Sequence, residues 1–233
     1  MKRCSQICAI LFELCIVAPV LFASQQAFAG GTVSLCLVRM DPYGADAQTY
    51  SRAGWGGGMN FVFPIKKYDN VLAATGGLEL VNLLFDSFSF WDRQNGETLT
   101  QETDQNYCRL YFGMELGEHG RGFFRPHAGA DLALVYYYIS TDLVIPNDDI
   151  FSSGENTREN LSHEGRFVLG YDLSMGVDLN FSNTVSVDGG LKYLKSFWLP
   201  QQLGEGTVTI HPQYFQVYFE AGVSFDFLES HGW

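Results

Sequence analysis

Charge is scarce in this chain. Only 17% of its 233 residues are Asp, Glu, Lys or Arg, against about 25% in an average globular domain. Bases are scarcer still, 14 Lys and Arg against 26 Asp and Glu, for a formal net charge of −12. A nucleic-acid binder presents a basic face, so no nucleic-acid partner is expected. Cysteine is nearly absent beyond the N-terminus, where only Cys36 and Cys108 remain. Two thiols make no disulfide framework and are too few for a thiolate metal centre. Long apolar runs are missing as well, since beyond the N-terminus none approaches the ~18 residues of a membrane helix. Helical periodicity is almost absent.

Aromatic residues are abundant: 19 Phe, 12 Tyr and 4 Trp, 15% of the chain. That content excludes intrinsic disorder, which goes with few aromatics. Mean hydropathy is −0.01, neither clearly soluble nor clearly membranous.

Residues 1–29 read as a signal peptide. Lys2 and Arg3 form a basic start, an apolar stretch runs from Ile10 to Ala23 around Glu13, and Ala27-Phe28-Ala29 is a small-x-small cleavage site. Residues 30–233 then form one domain of 204 residues with a formal charge of −13.

This domain alternates with a period of two, the mark of strands with unlike faces. Phe215, Val217, Phe219, Ala221, Val223, Phe225 and Phe227 oppose Gln216, Tyr218, Glu220, Gly222, Ser224 and Asp226. Phe167, Leu169, Tyr171, Leu173, Met175, Val177, Leu179 and Phe181 oppose Arg166, Gly170, Asp172, Ser174, Gly176, Asp178 and Asn180. Read this way, the chain has eight strands, near 32–40, 54–65, 71–85, 106–117, 123–141, 165–181, 185–198 and 213–227. The connections alternate long and short. Residues 41–53, 86–105, 142–164 and 199–212 are long, and 66–70, 118–122 and 182–184 are tight turns. An up-and-down meander puts all the long ones at one end.

The stripes run for seven or eight alternate positions. At about 3.3 Å per residue and a tilt of about 40°, they cover the ~25 Å apolar band of an outer membrane. The opposite face mixes glycine with charges of both signs, as a narrow lumen requires. Aromatics gather at both strand ends as two girdles. Phe61, Phe63, Phe181, Phe225 and Phe227 lie at the short-turn end, and Trp55, Tyr136, Tyr138, Phe167, Phe197 and Trp198 at the other. The expected fold is an all-β, eight-stranded antiparallel up-and-down transmembrane β-barrel with its apolar face toward lipid.

Some segments add a resemblance. Gly56-Gly57-Gly58-Met59-Asn60-Phe61-Val62-Phe63-Pro64, Phe124-Arg125-Pro126-His127-Ala128-Gly129-Ala130 and the aromatic-rich last strand resemble the small eight-stranded outer-membrane β-barrel proteins of the OmpA/OmpX-like type. His127 stands where that family usually has an aromatic. The resemblance implies insertion in the bacterial outer membrane with both termini periplasmic. In many such proteins the chain ends on an aromatic residue; here six residues follow Phe227, up to Trp233. Because this fold hosts adhesins, enzymes, scaffolds and small channels, it does not by itself give a function.

By parity the lumen holds Glu79, Arg109, Glu115, Arg125, His127, Asp131, Arg166, Asp172, Asp178, Asp188, Lys192, Glu220 and Asp226. Charges in so narrow a space must be paired or hydrated, so the expectation is a structural salt-bridge network; the alternative is a gated, cation-preferring channel. An outer-membrane lipid-modifying enzyme stands third, for no strand carries a His-x-Ser pair to supply a nucleophile and its base. His127, near Arg125 and Asp131, reads as a hydrogen-bonded lumen residue. Neither a cofactor nor a metal is expected, since His163, His211 and the acids of 142–164 lack ligand spacing. Cys36 faces in and Cys108 out, which argues against a bridge. Lys195 points outward, placed to reach lipid phosphates. The expected role is non-enzymatic: a monomer among outer-membrane lipids, structural, adhesive or engaged with an extracellular partner through 86–105 and 142–164.

Overall fold

In the computed structural model the described residues are 30–92, 97–119, 122–145, 157–182, 184–203 and 206–226. Residues 1–29, read above as a signal peptide, the last residues 227–233 and the side chain of Asp226 lie outside them, as do 93–96 and 146–156.

Eight strands close a barrel: β1 (Gly30–Tyr43), β2 (Gly54–Pro64), β3 (Leu72–Asp92), β4 (Glu97–Gly117), β5 (Phe124–Ile145), β6 (Thr157–Asn180), β7 (Val185–Ser196) and, last in the chain, β10 (Gln213–Asp226). Each pairs antiparallel with its chain neighbour, and β10 returns to β1. Between β7 and β10 lies a small separate hairpin, β8 (Leu199–Leu203) and β9 (Gly206–Ile210). A short helix α1 (Gly44–Tyr50) joins β1 to β2. Among the described residues no helix is long and apolar enough to cross a membrane.

The parity reading holds around the ring. Leu35, Leu37, Leu132, Leu169, Leu173, Met175, Val217 and Phe219 are exposed on the outer wall. Cys36, Val38, Met40, Val135, Val168 and Leu194 are buried inside, beside the polar groups. Cys36 and Cys108 are both buried, and Cys108 is covered on the outer wall by Leu110 and Tyr136. Both girdles are present in part. Phe63 meets Phe225 and Phe123 meets Phe181 at the short-turn end; Tyr136 packs on Phe167, and Phe197 on Tyr171 and Trp198, at the other.

Two residues shape the short connection between β2 and β3. Asp69 and Asn70 have φ of 51° and 61°, the left-handed region that these two residue types tolerate better than other side chains. At β2, a Cβ on Gly56 or Gly58 would sit 2.1 or 2.0 Å from the carbonyl oxygens of Leu80 and Leu78. The glycine run lets β2 approach β3 that closely.

The strand lengths correct the sequence reading. In their described residues, segments 86–105 and 142–164 are strand, not loop. β3 and β4 stay paired out to Asp92 and Glu97, and β5 and β6 out to Ile145 and Thr157. β2 starts only at Gly54 and β7 stops at Ser196, so β3–β6 rise beyond the ring as a four-stranded sheet. The alternation was hidden by a bulge between Asn82 and Leu84. The extra residue, Leu83, reverses which parity faces inward, and a one-residue slip moves a whole set of side chains to the other face. A second irregularity sits at Thr141/Asp142. Likewise 41–53 contains α1 and 199–212 contains the β8–β9 hairpin. The first strand, read as the shortest, has 14 residues.

Candidate functional site

The lumen is filled in layers. At mid-height Arg109 on β4 has no exposed side-chain surface. Its Nη2 lies 2.8 Å from Glu79 Oε1 and its Nη1 2.6 Å from Asp172 Oδ2. Lys192 on β7 stands 3.2 Å from Glu79 Oε1 and 3.8 Å from Glu220 Oε1. Gln216 donates to Glu79 Oε2 at 2.9 Å, and Asn60 to Glu220 Oε2 at 2.9 Å. Tyr111 lies under both cations, 4.3 Å from the guanidinium and 5.1 Å from the ammonium, and donates to Asn60 at 3.2 Å. Six of the eight barrel strands therefore meet on one buried cluster. Low dielectric makes each contact strong and each missing partner costly.

Above this layer sit tyrosines. Tyr107 packs edge-on against Tyr137 and Tyr214, at 5.3 and 5.9 Å between ring centres. The hydroxyl of Tyr137 shares a hydrogen bond with Ser196 (2.9 Å), and that of Tyr214 one with Ser51 (3.1 Å). Over them α1 and the β8–β9 hairpin close the mouth. Ala47, Leu199 and Ile210 are buried there, and the His211 backbone N–H donates to Asp46 at 2.8 Å.

Below the mid-layer the barrel is hollow. A polar cavity of about 890 Å³ opens toward the short-turn end. His127 shares a hydrogen bond with Tyr218 (3.0 Å) and lies 3.4 Å from Asp188 and 3.8 Å from Glu115. Glu115 also faces His119 at 3.7 Å. Arg125 pairs with Asp178 and donates to Asn180 at 2.8 Å. Burial, helped by the positive charge of Arg125, pushes the His119 imidazole in the turn after β4 down to about 4.

Most of the residues assigned to the lumen by parity are thus brought together. Glu79, Arg109, Asp172, Lys192 and Glu220 form the mid-layer. Asp131 accepts from Thr75 at 2.5 Å beside it and stands opposite Asp172 in register. Glu115, Arg125, His127, Asp178 and Asp188 line the cavity. Arg166 is set apart, exposed at the mouth beside Glu164 and Tyr137. The inward tyrosines 107, 137 and 214 were missed. Their signal was visible, since Tyr107 shares parity with Arg109 and Tyr214 with Gln216. Among the described residues no group of His, Cys, Asp and Glu is arranged to hold a metal ion.

The other feature is the projecting sheet. Register carries Phe88, Phe90, Leu99, Leu143 and Ile145 to the face continuous with the lumen wall, and Phe85, Trp91, Thr98 and Asp142 to the opposite one. Phe88 is 66% exposed and stacks on Phe90.

No protein-family model matches this chain, and no curated protein does. Among solved structures, it is similar to Neisserial surface protein A, with 13% identity, 84% of this chain and 97% of that one covered, and a TM-score of 0.52. This chain folds as an eight-stranded antiparallel β-barrel, the fold of these outer-membrane proteins. Ail of Yersinia pestis, solved in complex with a heparin analogue, is 12% identical over 86% of this chain and 99% of its own, with a TM-score of 0.43. OprG of Pseudomonas aeruginosa is 11% identical over 87% and 99%, with a TM-score of 0.41.

Proposed function

We propose that this protein is a non-enzymatic, monomeric integral protein of the bacterial outer membrane, exported by residues 1–29, whose barrel is an anchor and whose β3–β6 projection acts at the cell surface. The observation that carries this reading is the contrast between a lumen blocked by buried ion pairs and tyrosines and a sheet that extends well past the ring. In this reading the lumen charges, Arg166 and Asp226 included, are structural. Among its described side chains the projection carries seven carboxylates (Asp86, Asp92, Glu102, Asp104, Asp142, Glu159 and Glu164) against one cation, Arg158. A sulfated or phosphorylated polyanion would be repelled across this surface, whereas the β3 edge Phe85–Trp91, whose one charge is Asp86, suits an uncharged, aromatic-rich partner strand.

The test replaces 86–103 and 142–160 with short turns in the native register. The trimmed barrel should still insert and fold, while surface binding by whole cells is lost. Full binding by the trimmed protein would overturn the reading. The channel alternative draws on the 890 Å³ cavity. It requires a steady conductance in planar bilayers that changes when Arg109, Arg125 or Lys192 is replaced by Ala.

A further inference from the structure

The free edge of the projection is self-complementary. β2 covers β3 only as far as Asn82, and Arg52 N–H closes the carbonyl of Leu83. From Leu84 to Trp91, β3 pairs with β4 on one side, and among the described residues its other side has no backbone partner. Such an edge is a template for another strand, and proteins usually guard it with Lys, Pro or inward charges. Leu84-Phe85-Asp86-Ser87-Phe88-Ser89-Phe90-Trp91 has no Lys, Arg or Pro, and its single charge is Asp86 on the inner face.

The order of residues is nearly a palindrome about Phe88. If the strand meets a copy of itself antiparallel, with a two-fold axis at Phe88, then Phe88 faces Phe88. Ser87 then faces Ser89, Asp86 faces Phe90 and Phe85 faces Trp91. At five of the seven positions aromatic meets aromatic or hydroxyl meets hydroxyl, which are favourable cross-strand pairs, and at the other two Asp86 meets Phe90 and not a second carboxylate. Shifting the axis to Ser89 would set Asp86 against Asp92, which is penalised. The axis also keeps like faces together, so Phe88 and Phe90 of the two copies join on one face, flanked by the two Asp86 side chains.

Direction decides where the second copy sits. Two barrels in one membrane point their β3 strands the same way, which forbids antiparallel pairing. Antiparallel pairing about a two-fold axis requires the partner to stand in a facing membrane. We infer that the β3 edge Phe85–Trp91 pairs with the same edge of a second copy on an apposed membrane, making this protein a homotypic bridge between outer membranes. A seven-residue strand pair is at or below the low end of stable interfaces, about 1,200 Å². Single contacts are therefore weak, and membranes carrying many copies adhere through multivalency. This inference rests on the surface-acting reading above and names its partner.

The test uses the full barrel in phosphatidylcholine vesicles of two colours, with clustering read by co-localisation. Wild-type vesicles should cluster with one another and not with protein-free vesicles. F88K against F88K and F88D against F88D should each lose clustering at least tenfold, because residue 88 faces its own copy. F88K mixed with F88D should restore it. Phe88 lies outside the barrel wall, and unheated gel mobility confirms that each variant is folded. Absent wild-type clustering, clustering with protein-free vesicles, or no rescue in the mixed pair would each overturn self-pairing. If those failures occur while trimming the projection still abolishes whole-cell binding, the surface reading stands and only the partner is wrong. If trimming leaves whole-cell binding intact, the surface reading itself fails.

Discussion

A guanidinium with no surface exposed must find its counter-charges inside the protein. Arg109 finds Glu79 and Asp172 at 2.8 and 2.6 Å. Removing it leaves Asp172 buried without its cation and Glu79 with only Lys192 and the Gln216 amide. Breaking a buried pair by deleting one partner typically costs about 3–5 kcal/mol. We expect Arg109→Ala to lose that much in urea unfolding from lipid vesicles, with Arg109→Lys intermediate because an ammonium cannot grip both carboxylates as a planar fork does. A mutation at Arg166, exposed at the mouth, should change stability by less than about 0.5 kcal/mol. His119 makes a second residue-scale prediction. Its folded pKa is lowered to about 4, while an unfolded His titrates near 6.5. Between those values the unfolded chain binds the proton and the folded one does not, so stability falls as pH drops from about 6.5 to 4. His119→Gln should flatten the unfolding free energy across that window. An unchanged slope would show that another group carries it.

At the scale of the element, the sequence was readable where its period was unbroken. β10 and the lower half of β6 alternate without interruption, and their faces came out as parity requires. β3 did not, because Leu83 inserts one residue and flips every side chain beyond it. Phe88 and Phe90 therefore seemed to belong to a loop, although they continue the inner face of the strand. The tyrosine layer was missed for another reason. Tyrosine suits a lipid interface as well as a lumen, and parity alone had to separate Tyr137 from its outward neighbours Tyr136 and Tyr138. Ion-pair partners were not legible at all. Parity says which charges share the lumen, but the strand stagger decides that Lys192 meets Glu79 from across the barrel. Element geometry also yields a test. Since a Cβ at Gly58 would press on the Leu78 carbonyl oxygen, Gly58→Ala must push β2 from β3. The expected cost is about 1–3 kcal/mol, the usual range for overpacking, seen as a lower unfolding midpoint in urea.

Over the whole molecule, one wall is tall and the other short. β3–β6 have 21 to 24 residues, while β1, β2, β7 and β10 have 11 to 14. The short wall only has to span the apolar band; the tall one has about ten residues more per strand, roughly 30 Å of extra rise at about 3.3 Å per residue. The near-zero mean hydropathy follows from the same division, since a lipid-facing apolar set and a polar inner set average to nothing. The central claim is that this tall sheet stands outside the cell and the short turns inside. It is tested most directly by two single-cysteine variants, Ser89→Cys on β3 and Lys67→Cys in the turn after β2, each treated on intact cells with a maleimide that cannot cross the outer membrane. Cys36 and Cys108 are buried and should stay silent in the folded protein. The account predicts that the cysteine at position 89 labels on intact cells and the one at 67 only after lysis. Labelling at 67 on intact cells, with none at 89, would contradict it.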